Sequence, residues 1–194
     1  IDYVLGLGGK RMRPILLLLA HQLFNQNLSA AIKPALGIEV FHNFTLLHDD
    51  IMDDAPLRRG QQTVHEKWNP NIAILSGDTM LVYAYQHMSE VPSEVLKKSL
   101  DVFSKTAIEV CEGQQWDMDF EERDDVTISE YMKMIEYKTA VLLAGALKIG
   151  ALTGGSNEEQ AQHLYEFGRN MGIAFQLKDD LLDVFGDQDK FGKQ

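Results

Sequence analysis

The stretch Phe41-His42-Asn43-Phe44-Thr45-Leu46-Leu47-His48-Asp49-Asp50-Ile51-Met52-Asp53-Asp54 constrains this chain more than any other. On an α-helix, residues four apart are offset by about 40° and rise roughly 6 Å, so Asp49 and Asp53 point the same way, one turn apart. Traced backwards, the stripe reaches Thr45 or Leu46, then His42, then Ile38. The face begins apolar and ends in a histidine and two carboxylates. Like charges at this spacing repel in an isolated helix, which calls for a cation between them. Carboxylate oxygens suit a hard divalent ion, magnesium. A solvated acidic helix end would read the same in a single copy. Asp179-Asp180-Leu181-Leu182-Asp183 repeats the Asp-Asp-x-x-Asp spacing far downstream, and two copies in one chain argue against coincidence.

Around these motifs the sequence punctuates into helices. Gly6 to Pro14 reads as a glycine-rich turn with Pro14 near the first position of a helix that runs to about Asn25. The next helix starts between Ser29 and Pro34 and carries the first motif to Asp54, closed by Pro56 and Arg58-Arg59-Gly60. After a loop, Asn69-Pro70 opens another helix, and Pro92 opens one ending at Gly113-Gln114-Gln115-Trp116-Asp117. Asp117 to Asp125 reads as a solvated acidic connection. Capping boxes at Thr127-Ile128-Ser129-Glu130 and Ser156-Asn157-Glu158-Glu159 start two more helices, separated by Gly154-Gly155. No segment shows sustained strand alternation. The expectation is a single domain over residues 1–194, an all-α bundle of long helices around a central active-site cleft.

Polar residues on otherwise apolar faces mark that cleft. Lys138 shares a stripe with Tyr131, Met134, Ile135, Thr139, Leu142 and Ala146, where an unpaired charge is expensive. It is either a snorkelling lysine or the wall of an anion-holding cavity. In the last helix Gln176, Asp179 and Asp183 edge the stripe Leu164, Phe167, Met171, Phe175 and Leu182. His48 and His65 read as structural. Net charge −11 argues against a nucleic-acid surface. The longest apolar run, Ile15 to Ala20, is too short to span a bilayer, so no stable membrane insertion is expected. The single cysteine, Cys111, suits a reducing, cytoplasmic compartment. The chain opens at Ile1 without methionine and stops at Gln194, so both ends read as cut, chiefly the C-terminal one, and targeting is not legible.

Sorted by sign, Asp49, Asp53, Asp179 and Asp183 form two acidic walls, while Lys10, Arg13, Arg58, Arg59 and Lys138 supply cations. Facing carboxylates need divalent metal, and the cations then need an anion. A diphosphate satisfies both, because its oxygens coordinate magnesium and accept bidentate arginine contacts. Separate basic groups point to two phosphorylated substrates, and the apolar remainder suits a hydrocarbon tail. No strand–glycine loop–helix phosphate cradle occurs, which argues against a P-loop nucleotide enzyme.

The ordered set of motifs resembles the trans-type isoprenyl diphosphate synthases of the polyprenyl synthetase family. It comprises Gly8-Gly9-Lys10-Arg11-Met12-Arg13-Pro14, His42, Asp49-Asp50-Ile51-Met52-Asp53, Arg58-Arg59-Gly60, Gly113-Gln114-x-x-Asp117, Lys138-Thr139 and Phe175-Gln176-Leu177-Lys178-Asp179-Asp180-Leu181-Leu182-Asp183. The resemblance implies a magnesium-dependent, head-to-tail prenyl transfer. Asp49, Asp53 and Asp179, with Asp183 beside them, would bind the metal. Arg58, Lys138 and Lys193 would hold an allylic diphosphate. Lys10, Arg13, His42 and Arg59 would hold isopentenyl diphosphate, and Thr139 and Gln176 would shield the allylic cation. A bulky aromatic at the fifth position before the first motif, here Phe44 with Phe41 further back, resembles the short-chain farnesyl and geranylgeranyl enzymes. A homodimer is implied as well. The alternatives are a class I terpene cyclase, which shares the first motif, and a non-catalytic synthase subunit, which commonly lacks one of the two.

Overall fold

Apolar residues at helical spacing give the first long helix its buried face, and the sequence order supplies what surrounds it. The computed structural model describes residues 1–185, the side chain of Asp183 excepted. Helix α1 (Asp2–Gly6) and α2 (Met12–Gln22) precede α3 (Ser29–Met52). In α3, Ala31, Ala35, Ile38, Phe41, Phe44 and Leu47 are buried at spacings of three and four residues, as an amphipathic helix requires. The helix ends sooner than expected. Asp53 is its C-cap, with its N–H donating to the Asp49 carbonyl at 2.9 Å. Asp54 then turns left-handed at φ 49°, a conformation aspartate tolerates better than most residues.

A short hairpin follows, β1 (Leu57–Arg58) paired antiparallel with β2 (Gln61–Gln62), and then α4 (Val64–Lys67). Helix α5 (Pro70–Met88) starts where Asn69-Pro70 indicated, the Asn69 carboxamide accepting the Ile72 N–H at 2.9 Å. Helix α6 (Ser93–Glu121) overrides the expected acidic connection, running through Asp117 and Asp119. Gln115 donates to Asp119 at 2.8 Å, an i,i+4 pair that supports this last stretch.

The Thr127–Glu130 capping box is present at the start of α7 (Ile128–Ile135). A π-helical turn (Glu136–Ala140) then leads into α8 (Val141–Gly154). Helix α8 is buried on every side except at Lys148 and packs against α2, α3, α6 and α9 (Glu158–Phe185), which makes it the centre of the bundle. The box expected at Ser156 forms one residue later: the Asn157 carboxamide accepts the Gln160 N–H at 2.8 Å, and Gln160 accepts the Asn157 N–H at 3.0 Å. Among the described residues no helix is long and apolar enough to cross a membrane. The acidic end of α3, the hairpin, the π turn and the C-terminal part of α9 are brought to one end of this bundle.

Candidate active site

The acidic end of α3 opens onto a cleft of about 490 Å³. Asp49 and Asp179 both line it, together with Arg13, His42, Phe44, His48, Arg58, Lys138, Thr139 and Gln176. Asp49 Oδ1 is buried without a hydrogen-bond partner; the nearest cation is Lys138 Nζ at 3.5 Å. Burial, then the charge of Asp49, pushes the Asp53 carboxyl above its usual range, with Lys138 working the other way. An orphaned carboxylate oxygen beside a carboxylate that resists ionisation is a donor set that fits a hard divalent ion. The side chain of Asp183, expected as a fourth acid, lies outside what is described, and Lys193 lies outside the described residues altogether.

Lys138 is neither snorkelling nor unpaired. The π turn aims its ammonium at Asp117, to which it donates a hydrogen bond, and at Asp49. Burial works against this ammonium, yet the bond to Asp117 and the charges of Asp49, Asp117 and Asp53 outweigh it and raise its pKa. Arg58 is held in the same manner by a residue that the sequence left unassigned. Its Nε donates to Asp50 Oδ1 at 2.8 Å, and Asp50 is 6% exposed. Burial raises the Asp50 carboxyl even against the Arg58 hydrogen bond and charge. Arg58 Nη2 also reaches Asp49 Oδ2 at 3.4 Å.

A second cleft of about 490 Å³ adjoins the first, lined by Gly9, Lys10, Arg11, Arg13, His42 and Arg59 among others. Arg13, His42 and Phe175 line both. Burial lowers the Arg13 guanidinium to about 10, although Glu39 pulls the other way. Arg13 Nη1 lies 3.1 Å from His42 Nε2. Burial, followed by the charges of Arg13, Arg59, Arg58 and Arg11, drives the His42 pKa well below its ordinary value. His42 is therefore a neutral imidazole, and since a guanidinium only donates, Nε2 accepts and Nδ1 carries the proton. Gly9, at φ 127°, lets the Arg59 guanidinium lie where any side chain at position 9 would collide, with a Cβ 2.8 Å from Nη2. Arg59 donates to the Gly8 carbonyl, and Arg11 is tied to Glu39 and the Leu5 carbonyl. With one carboxylate, Glu39, set among these cations, the second cleft has the charge of an anion site.

Between the clefts and the apolar floor, Thr139 Oγ1 donates to Gln176 Oε1 at 2.9 Å, and Gln176 Nε2 donates to Asp180 Oδ1 at 2.8 Å. Tyr131 donates to the same Asp180; burial and that bond hold its hydroxyl pKa up to about 12. This chain of bonds fixes the faces of Thr139 and Gln176 toward the cleft. Phe44 lines the first cleft and its ring meets His48 at 4.8 Å. Phe41, also expected at the floor, is fully buried against Phe103 at 5.2 Å and serves the core. His48, read from the sequence as structural, is on the cleft wall.

A family model described as polyprenyl synthetase matches residues 1–194. A geranylgeranyl diphosphate synthase of Methanosarcina mazei is 49% identical over 193 residues, 98% of this chain and 60% of that protein. The chain thus spans three fifths of the length of that curated relative. The crystal structure of geranylgeranyl pyrophosphate synthetase from Pyrococcus horikoshii matches with a TM-score of 0.95 at 42% identity, covering 100% of this chain and 60% of that one. A polyprenyl synthase from Caulobacter crescentus, solved with calcium and isoprenyl diphosphate, matches with a TM-score of 0.91 at 32% identity, over 100% of this chain and 58% of that one.

Proposed function

The chain belongs to the polyprenyl synthetase family, and we propose that it condenses isopentenyl diphosphate head-to-tail with an allylic diphosphate, releasing diphosphate. The observation that carries this reading is the pair of adjoining clefts, with the neighbouring residues Arg58 and Arg59 on different ones. One anion alone would not need both. A terpene cyclase would have no use for the second basic cleft, and a non-catalytic subunit would not keep both acidic walls.

In this reading Asp49, Asp53 and Asp179, with Asp183, hold magnesium, which when bound supplies Lewis-acid charge that stabilises the leaving diphosphate. Arg58 and Lys138, joined by Lys193, hold the allylic diphosphate; their carboxylate partners keep both cations charged and aimed. Lys10, Arg13 and Arg59 hold isopentenyl diphosphate, and neutral His42 offers Nδ1–H to it without adding charge. The allylic carbon–oxygen bond breaks with its electron pair going to diphosphate. Thr139 and Gln176, locked by Asp180, turn dipoles to the allylic cation. The isopentenyl double bond then attacks that carbon, and a proton leaves to the departing diphosphate. Phe44 at the cleft floor and the 49% identical geranylgeranyl synthase support a short-chain product. Exposed Leu75 and Val82 on α5 and Ile108 on α6 support a homodimer, and the single Cys111 suits a cytoplasmic setting.

Saturation kinetics with one substrate varied at a time test the assignment. Arg59→Ala should raise the KM for isopentenyl diphosphate, and Arg58→Ala that for the allylic substrate. A lost charge-assisted contact is worth about 1.5–3 kcal/mol, roughly tenfold to a hundredfold. Equal effects on both constants would overturn the two-cleft assignment, and failure of the unmutated chain to elongate any allylic starter would overturn the function.

A further inference from the structure

Outside both clefts, at the base of the hairpin that carries Arg58 and Arg59, three side chains converge. Asp54 precedes the hairpin; His65 and Glu66 follow it on α4. The His65 side chain is 95% buried, being 5% exposed, yet neither ring nitrogen has a hydrogen-bond partner. A buried imidazole with two orphaned nitrogens is an exception that folded proteins rarely leave without a purpose. Its Nε2 faces two carboxylate oxygens, Asp54 Oδ1 at 4.0 Å and Glu66 Oε1 at 3.9 Å. These separations are too long for hydrogen bonds. They approach what a shared ion requires: with ligand bonds of about 2.0–2.2 Å, two corners of a tetrahedron lie about 3.4 Å apart.

We propose that Asp54, His65 and Glu66 form a second divalent-metal site, for a borderline ion such as zinc, that clasps the base of the arginine-bearing hairpin. Closure asks each carboxylate to move by about half an ångström toward Nε2, and the three ligand atoms already lie within 4.8 Å of one another; the exposed Asp54 and Glu66 side chains are free to make the shift. The backbone between them is already held. Thr63 Oγ1 donates to the Ala55 carbonyl at 2.7 Å, and Thr63 N–H donates to the Pro56 carbonyl at 3.1 Å. Two carboxylates and a neutral imidazole match a 2+ ion in charge and leave one position for water. The imidazole separates this site from the all-carboxylate wall around Asp49: nitrogen ligation favours zinc, cobalt or nickel over magnesium. Because the ligands lie on both sides of residues 57–62, the ion would fix the spacing of the hairpin that presents Arg58 to one cleft and Arg59 to the other.

The test is a zinc titration followed by calorimetry in saturating magnesium, with no prenyl substrate, so its outcome is independent of whether the proposed activity is correct. The wild-type chain should bind one more zinc ion than Glu66→Gln or Asp54→Asn, both changes at exposed positions that leave the core intact. Loss of an outer-shell partner typically costs about 10–100-fold in metal affinity, so loss of a direct ligand should weaken this site by at least as much. Zinc should also shift the His65 imidazole ¹⁵N resonances in the wild type and leave them in place in Glu66→Gln. Equal stoichiometry and affinity in all three proteins, or unmoved His65 resonances in the wild type, would overturn the proposal.

Discussion

Gly113→Ala sets two opposing effects against each other, and the structure decides between them. In an exposed helix interior, alanine is favoured over glycine by about 0.8–1 kcal/mol. Gly113 instead sits in α6 directly beneath the π turn. A Cβ there would lie 2.2 Å from the Lys138 backbone nitrogen, 2.7 Å from the Tyr137 carbonyl carbon and 2.8 Å from Lys138 Cα. All three are backbone atoms, so no side chain can swing aside. To regain ordinary contact the turn must retreat by about 1 Å. Overpacking of this kind costs typically 1–3 kcal/mol, and a backbone-on-backbone clash belongs at the upper end, giving a net loss of about 2 kcal/mol. For a chain of this size that lowers Tm by about 4–8 °C. The displacement falls on Lys138, whose ammonium is bonded to Asp117 and faces Asp49. A misplacement of about 1 Å in a reacting constellation can cost about a hundredfold in turnover. Thermal unfolding and steady-state turnover of Gly113→Ala, beside Gly6→Ala as a control at a glycine whose Cβ meets nothing, read both losses. A Gly113→Ala protein with unchanged Tm and full turnover would refute the close packing of α6 on the π turn and the positioning argument with it.

Phe44→Ala should lengthen the prenyl product, because Phe44 lines the first cleft whereas Phe41 is locked in the core; chromatography of the products decides it, and an unchanged distribution would move the floor elsewhere. Burial lifts the Glu109 carboxyl above its usual 4.5, only partly opposed by Lys105 at 3.6 Å and by Lys133. The folded state then binds this proton more tightly than the unfolded chain, so the contribution is fullest below pH 4.5 and is lost as pH rises through the raised value; Glu109→Gln should flatten that decline in a series of Tm against pH, and an unchanged slope would refute it.

The long helices were legible because their signals are local. The stripe of α3 needs only its own residues, and so do the Asn69 cap and the Thr127–Glu130 box. Where two caps compete within one residue, as at Ser156 and Asn157, spacing alone does not choose. Gln160 serves Asn157 as well as Glu159 would have served Ser156, and the Asn157–Gln160 pair is the one that forms. The end of α6 was missed for a related reason. Glycine and a run of acids argue against helix when read locally, but Gly113 is bare because the π turn lies against it.

The candidate site divides along the same line. Which residue types would gather, and of which sign, followed from motifs on helix faces; the partners that aim them did not. Asp50 stands about 100° around α3 from Asp49, off the Asp49–Asp53 stripe, so periodicity assigned it no role, yet it holds Arg58 from beneath. Lys138 falls on a helical stripe by count, but the extra residue of the π turn rotates everything after it, and tertiary contact with Asp117 fixes where the ammonium goes. The clearest case is the arginine pair. Arg58 ends an extended strand, whereas Arg59 turns left-handed at φ 55°. That reversal gives side chains from adjacent residues different directions, one held by Asp50 and the other laid across Gly9. A sequence spacing of one says that two residues are neighbours; only the backbone angle between them sends one to each of two anions.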